Sequence, residues 1–396
     1  MPLPEQRAAA AATSLWCLVC GEYGGVDVLN NILLFIPIGM GLRLSGLGTL
    51  RVVAFGALLS LTVEALQFAV IPGRDASLSD VLTNTFGSWA GAFIGRHLRL
   101  LLYPTATQGL RLLLAGGLTW LAVQAGTAAL LRPWAPDGIR GGAWARVNPG
   151  RIPFDGQVTL AVVSGIAVPP KLKPVPELAH RVRQGDVRLE VRLLSGTRKA
   201  VWSPVFEVLG RRGSVMSLEA VGADLAFQPP MQSLQLRLRR PALRLDSALP
   251  AKPGIPLWVA ARGGDTLSAT WSVAGGKIFR SLQVLGPSLG WSLITPVSYA
   301  FGPETRWITA VWLAGWLTVI GYWSAAARAR LRFAAPGLIL LAITGLALVP
   351  SILGYAVSHW SEWLAAGAGI TAGYAGHHFA AYLGERCDFL SIKEFC

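Results

Sequence analysis

Long apolar stretches alternate along this chain with one long polar stretch. A helix needs about 20 apolar residues to cross ~30 Å of hydrocarbon. Six stretches are candidates: Asn31–Leu47 (short, extendable back to Val26), Leu50–Ile71, Val81–Leu102, Leu110–Leu131, Trp307–Ala327 and Pro336–Val357. A seventh, Trp363–Leu383, is rich in glycine and alanine. Ahead of them Ala8–Cys20 is apolar but too short to cross comfortably, and no small-x-small cleavage site follows it. A shortened first span and a misassigned start are both open readings of that segment.

The segment from Arg132 to about Thr305 follows a different period. Apolar residues alternate with polar ones in Val187-Arg-Leu-Glu-Val-Arg-Leu193, Leu234-Gln-Leu-Arg-Leu238 and Leu257-Trp-Val-Ala260. Proline and glycine clusters, such as Pro169-Pro170, Pro229-Pro230 and Pro250–Pro256, punctuate them. Period-two alternation between turn signals predicts an antiparallel β-sandwich. The expected architecture is an α-helical polytopic membrane protein of about 6–8 transmembrane helices with an inserted all-β domain. Residues 1–131 form about four spans and a short N-terminal segment. Residues 132–304 form the sandwich, and residues 305–396 two or three further spans.

Composition agrees: hydrophobic residues are 53% and charged residues 14%, against about 25% charged in soluble domains. That excludes a disordered chain and argues against an ordinary soluble enzyme. Arg43 and Arg51, then Arg96, Arg99 and Arg111, then Arg328, Arg330 and Arg332 fall in alternate inter-span loops. Short basic loops stay on the cytoplasmic side, so the Ile71–Asp80 loop and the sandwich are expected outside a bacterial inner membrane. Most of the net charge of +14 lies in the sandwich segment. Long domains translocate largely regardless of charge. An external domain is not expected to meet nucleic acid. Trp307, Trp312, Trp360 and Trp363 suit an aromatic belt.

The chemistry lies between Val28 and Gly95. Polar groups in hydrocarbon are costly and are usually paired or functional. Glu64 and Gln67 share one helix face, and Asp80 and Asn84 another. Gly87, Gly91 and Gly95 continue the latter face as a small-xxx-small seam, so it points into protein. Glu64 lies seven residues from the end of its span, ~10 Å below the outer boundary at 1.5 Å per residue. Asn30 and Asn31 open the first strong span at that boundary, and Arg74 sits in the loop between the next two. Arg74 suits Glu64 or Asp80 as a counter-ion, or a phosphate as a ligand. Two readings stand: a structural polar network locking three helices, or a binding or catalytic site.

The order Asn31-Ile-Leu-Leu-Phe-Ile-Pro-Ile-Gly39, then Glu64-x-x-Gln67, then Gly73-Arg74-x-x-x-x-x-Asp80-Val-x-x-Asn84-x-x-Gly87 resembles the VanZ-like family. That membrane domain is named after a protein associated with low-level teicoplanin resistance. The resemblance covers roughly residues 26–100. It implies that Asn31, Phe35, Pro37, Gly39, Glu64, Gln67, Arg74, Asp80, Asn84 and Gly87 are signature positions. It implies a topology and a link to glycopeptide tolerance, and no settled mechanism. The middle segment resembles concanavalin-A/laminin-G-like jellyroll domains through Val187–Leu194, Ser214-Val-Met-Ser-Leu-Glu219, Asp224-Leu-Ala-Phe227 and Leu236-Arg-Leu-Arg239. Such domains often bind sugars, frequently with Ca²⁺. No Asp/Asn cluster here has calcium-ligand spacing, so neither metal nor cofactor is expected.

Ser79-Asp-Val-Leu82…Gly87…Ala90-Gly91 matches Ser361-Glu-Trp-Leu364…Gly369…Ala372-Gly373 at a constant offset, with Ala366 where the first copy has Asn84. A faint internal repeat and coincidence between Gly/Ala-rich helices are both open. His359 and Glu362 read as interfacial residues or as additions to the polar site, and His377-His378 as packing residues. Arg211-Arg212 and Arg237-x-Arg239-Arg240 read as a solvated strand face, or as contacts to anionic glycans or lipid head groups. Cys17, Cys20, Cys387 and Cys396 imply no disulfide framework and read as small apolar residues.

Three functions from different classes follow. The first is a non-enzymatic envelope protein that binds a membrane lipid or lipid-linked precursor at Asn31, Glu64, Gln67, Arg74, Asp80 and Asn84, with a glycan or partner on the sandwich. The second is an intramembrane enzyme with Glu64 and Asp80 as an acid/base pair on a lipid-linked glycan or polyprenyl phosphate. The third is a transporter.

Overall fold

The computed structural model describes residues 19, 21–70, 77–145, 152–183, 187–211, 213–327 and 334–389. Arg74 and its neighbours lie outside the described residues, as do Ala8–Leu18, Cys20, Arg212, Arg328, Arg330, Arg332 and Cys396.

Among the described residues three helices come first: α1 (Gly24–Leu44), α2 (Thr49–Val70) and α3 (Leu78–Arg96). Helix α4 (Ala106–Leu130) opens on a capping box in which Thr105 and Gln108 each satisfy the other's backbone N–H. After the sandwich come α5 (Thr305–Ala327), α6 (Ala334–Ile343) and α7 (Trp360–Phe389). Helices α1, α2, α4 and α5 are long and apolar enough to cross a membrane, and Pro336–Ile352 is a shorter apolar helix. Their outward faces carry exposed residues such as Leu34, Leu58, Phe68, Leu118 and Val311, which suits hydrocarbon rather than water.

Three spans differ from the sequence expectation. Helix α1 starts at Gly24 and not Asn31. Asn31 does not end the helix because its amide is satisfied from α3 rather than by water. The span expected over Val81–Leu102 starts at Leu78 and breaks at His97, with a separate short helix at Leu98–Leu102. The span expected to reach Val357 runs through a π turn at Thr344–Leu348 and stops at Ile352. There Gly354 takes φ +85°, a left-handed conformation suited to glycine. The chain then turns back, and the Tyr355 hydroxyl donates to the Ala128 carbonyl at 2.9 Å.

Helices α1 and α3 meet backbone to backbone. A Cβ on Gly39 would strike the Ser88 carbonyl, and one on Gly91 the Ile36 carbonyl. Helices α5 and α7 meet in the same way at Gly321 and Gly373. Helix α4 packs on this second group, with Gly109 against Ala326 and Trp120 beneath Gly345.

The sandwich comprises β1 (Gly141–Trp144), β2 (Gln157–Val163), β3 (Ile166–Ala167), β4 (Val187–Leu194), β5 (Ser203–Gly210), β6 (Gly213–Val221), β7 (Asp224–Gln228), β8 (Ala242–Leu245), β9 (Pro256–Gly263), β10 (Thr266–Val273), β11 (Ile278–Val284) and β12 (Ala300–Phe301). One sheet has the order β1-β5-β6-β7-β8-β12, the other β11-β10-β9-β4-β2-β3. All neighbours are antiparallel except β8 and β12. Along β4, Val187, Leu189, Val191 and Leu193 are buried while Arg188 and Arg192 are exposed, as period-two alternation requires. Each such leucine contributes about 1.5–3 kcal/mol through burial.

Leu234–Leu238 is not a strand. Gln232–Leu236 forms a 3₁₀ helix, capped by Arg237 at φ +52°. Five alternating residues are too few to impose a strand, and the turn is closed by the Leu238 amide donating to the Ser233 carbonyl. Nor are the arginines that follow a solvated face. Arg237 donates to the carbonyls of Val19 and Gly21. Arg239 lies 3.9 Å from the centroid of the Tyr23 ring and donates to the Pro296 carbonyl at 2.8 Å. Arg240 is buried, donates to the Val215 carbonyl, and lies 3.8 Å from Glu22. They clamp the start of α1 to the sandwich.

A second tether joins the sandwich to α5. Both Arg244 terminal nitrogens donate to Glu304, each at 3.0 Å. Burial opposes ionisation of Glu304, but backbone donors and Arg244 outweigh it and hold the carboxyl below its ordinary range. A lowered folded pKa contributes stability above the unfolded value, lost as pH falls through the folded one. Thermal unfolding from pH 6 to pH 3 should therefore show an acid loss in the wild type that is smaller in Glu304→Gln. Glu304 is 43% exposed, so the difference should be modest. Superimposable pH profiles would remove the tether from the account.

Candidate functional site

The polar residues of α1–α3 gather toward the end that the sandwich clamps. Asn31, two turns into α1, donates from Nδ2 to Asp80 Oδ1 at 3.0 Å. Asn84, one turn below Asp80 on α3, donates from Nδ2 to Ser60 Oγ at 2.9 Å. Ser60 Oγ reaches the Asp80 carbonyl at 3.5 Å. These contacts make one chain, Asn31–Asp80–Ser60–Asn84, across all three helices.

Glu64, one turn beyond Ser60 on α2, is buried and accepts from the Ser77 backbone N–H at 2.9 Å. Ser77 is the residue before α3, where the first amides of a helix have no partner of their own. Glu64 thus ties the end of α2 to the start of α3. Glu64 and Asp80 take different hydrogen-bond partners.

In this cluster three buried polar atoms have no hydrogen-bond partner among the described residues: Asn84 Oδ1, Gln67 Oε1 and Ser88 Oγ. Asn84 is only 7% exposed. A buried polar atom without a partner costs about 1–3 kcal/mol, so this cluster carries more polar capacity than its own hydrogen bonds use. Gln67 is half-buried, one turn above Glu64. Ser60 stands one turn before Glu64 in the same spaced set, whereas Ser88 was not singled out by spacing; the signal for it was its four-residue offset from Asn84.

The other candidates lie elsewhere. His359 Nδ1 lies 2.9 Å from Ser361 Oγ. Glu362 accepts from Ser288 Oγ at 2.7 Å. The His377 ring meets Tyr322 edge-on at 5.1 Å. Trp307 and Trp360 are exposed at the ends of α5 and α7, as a belt residue would be. Among the described residues no group of three or more His, Cys, Asp or Glu side chains is placed to hold a metal. On the outer face of β4, β9 and β10 lies an open groove of about 480 Å³, lined by Arg188, Glu190, Arg262, Ser268 and Thr270. Beside it Trp258 Nε1 donates to Glu190 at 2.9 Å.

No curated protein and no solved structure matches the chain. Residues 3–101, about a quarter of the chain, match the family model described as VanZ/LLP1. The matched stretch contains α1, α2 and α3 with every residue of the polar cluster, so this quarter of the chain is similar to the VanZ/LLP1 family, in a chain that combines helices apolar enough to cross a membrane with a β-sandwich.

Proposed function

We propose that the cluster on α1–α3 binds the head group of an amphiphilic, lipid-linked component of the bacterial envelope at the outer leaflet of the inner membrane. The observation that carries this reading is the surplus of buried polar atoms, above all Asn84 Oδ1. Asn31, Glu64, Gln67, Asp80 and Asn84 contact the head group, and Arg74, which lies between α2 and α3 in the sequence, pairs with its phosphate. The apolar outer faces of the same helices run beside the lipid tail. The separate partners of Glu64 and Asp80 favour binding over a dyad sharing one proton. The sandwich stands outside the membrane and takes a glycan in the groove beside Trp258, where Arg188 and Arg262 suit acidic sugars. Binding a lipid-linked wall precursor would connect the protein to glycopeptide tolerance.

The test uses the full chain purified in detergent. Polyprenyl phosphate, a glycan-bearing polyprenyl diphosphate and a plain phospholipid are titrated separately while thermal unfolding is followed. A ligand at 100 times its Kd stabilises by about 2.7 kcal/mol. The polyprenyl compounds should raise the melting temperature in the wild type and not in Asn84→Leu. No stabilisation by either polyprenyl compound would sink the proposal.

A further inference from the structure

We infer that residues 24–96 and 306–378 are two copies of one unit built on a close helix pair, set 282 positions apart, and that only the first copy keeps a binding site. The second half of this statement rests on the proposed function and deepens it.

The backbone contacts carry the duplication. A Cβ on Gly87 would meet the Ile32 carbonyl, and one on Gly369 the Ala314 carbonyl. Gly91 faces the Ile36 carbonyl and Met40 amide, and Gly373 faces the Thr318 carbonyl and Tyr322 amide. Gly39 faces the Ser88 carbonyl, and Gly321 the Ile370 carbonyl. Each glycine and each partner in the second set stands 282 positions after its counterpart. Glycine-rich helices meet often, but not with every contact in one register.

The buried positions of the middle helix keep the same offset, although Gly56 of α2 faces Ser88 of α3 and Gly345 of the second stretch faces Trp120 of α4. Helix α2 buries Gly56, Ser60 and Glu64, and the α6 stretch with its π turn buries Leu338, Ala342 and Leu346. Helices α1 and α5 both leave the sandwich end, so the copies point the same way. Parallel copies of this kind are related by an axis along the membrane normal.

The second copy is therefore an internal control for the first. In place of Asn31, Ser60, Glu64 and Asn84 it has Leu313, Ala342, Leu346 and Ala366, all buried, while the counterpart of Asp80, Glu362, stays acidic but accepts from Ser288 Oγ instead of meeting its own helix partner. Leu313, Leu346 and Ala366 belong to one apolar cluster, and Trp120 from α4 packs there. The α5–α7 pair thus closes in the register of α1–α3 without polar side chains at the positions of Asn31 and Asn84, while the middle stretch packs on α4, with Trp120 against Gly345. Burying polar groups costs free energy that an apolar core avoids. The polar set of the first copy is not what holds the helices together. It serves a ligand, and the second copy serves as scaffold. A transporter working through both copies would line both with polar groups.

The experiment gives the first copy the residues of the second. Ser60→Ala/Glu64→Leu/Asn84→Ala is made in the full chain, with Ser60→Ala/Asn84→Ala as a milder variant that keeps Glu64 on Ser77. Melting temperature is measured without ligand and with polyprenyl phosphate. Melting at or above the wild-type temperature without ligand, with the ligand-induced rise lost, is the expected result. A clear fall in melting temperature in both variants would make the network a packing device and overturn the inference. Unchanged melting with the ligand-induced rise intact would leave the duplication standing but remove the binding site from this cluster. If polyprenyl phosphate fails to stabilise even the wild type, the proposed function fails, while the ligand-free melts still decide the packing question.

Discussion

Gly91→Leu should prevent α1 and α3 from closing on each other. A Cβ at Gly91 would strike the Ile36 carbonyl and lie 2.8 Å from the Met40 amide. Both are backbone atoms of α1, so no rotamer change relieves the clash and the helices must separate. Overpacking a core costs about 1–3 kcal/mol and sometimes more. Total stabilities of only about 5–15 kcal/mol make that a large fraction. Gly126→Leu is the matched control, because nothing lies within 4 Å of its Cβ. The yield of monodisperse protein on size exclusion in detergent should collapse for Gly91→Leu and stay near wild type for Gly126→Leu. Gly373→Leu, the counterpart in α7, should behave like Gly91→Leu. A wild-type melt for Gly91→Leu would mean that the seam is not a contact.

How far the residues foretold these contacts depended on the range of the interaction. Helix α2, expected over Leu50–Ile71, spans Thr49–Val70, because an uninterrupted apolar run needs only length to be read. Strands β4 and β9 follow from alternation alone. The start of α1 did not, because Asn31 looks like a boundary until its partner on α3 is known. Spacing put Glu64 and Gln67 on one helix face, and Asp80 and Asn84 on another. It could not pair Asn31 with Asp80 or Asn84 with Ser60, since those bonds cross between helices. Arg237, Arg239 and Arg240 were misleading for the same reason. A basic cluster in an alternating stretch suggests a wet strand face, and only the fold brings Glu22, Tyr23 and the Val215 carbonyl to it.

That clamp gives the second large effect, expected for Arg240→Ala. The Arg240 side chain is fully buried, and Glu22 beside it is 26% exposed. Arg240 also donates to Val215 and to Gln228 Oε1, the latter at 3.3 Å. Removing one partner of a buried charged group costs about 3–5 kcal/mol, because the remaining groups lose their compensation. Partial exposure of Glu22 places Arg240→Ala toward the lower end of that range. Arg240→Met fills much of the lost volume and should recover the packing share only. Arg240→Lys keeps the charge but not the planar fork that serves several acceptors, so it should recover part of the polar share. The order of melting temperatures should be wild type, then Lys and Met, then Ala. Glu22→Gln in the Arg240→Met background separates the charge pair from the hydrogen bonds. If the pair matters, that double variant should lose less than the two single losses added. The clamp also sets where α1 begins, so Arg240→Ala should weaken hydrogen-exchange protection over residues 24–31 as well as in β6. Exchange that rises in β6 while 24–31 stays protected would detach the clamp from α1, and with it the idea that the sandwich positions Asn31.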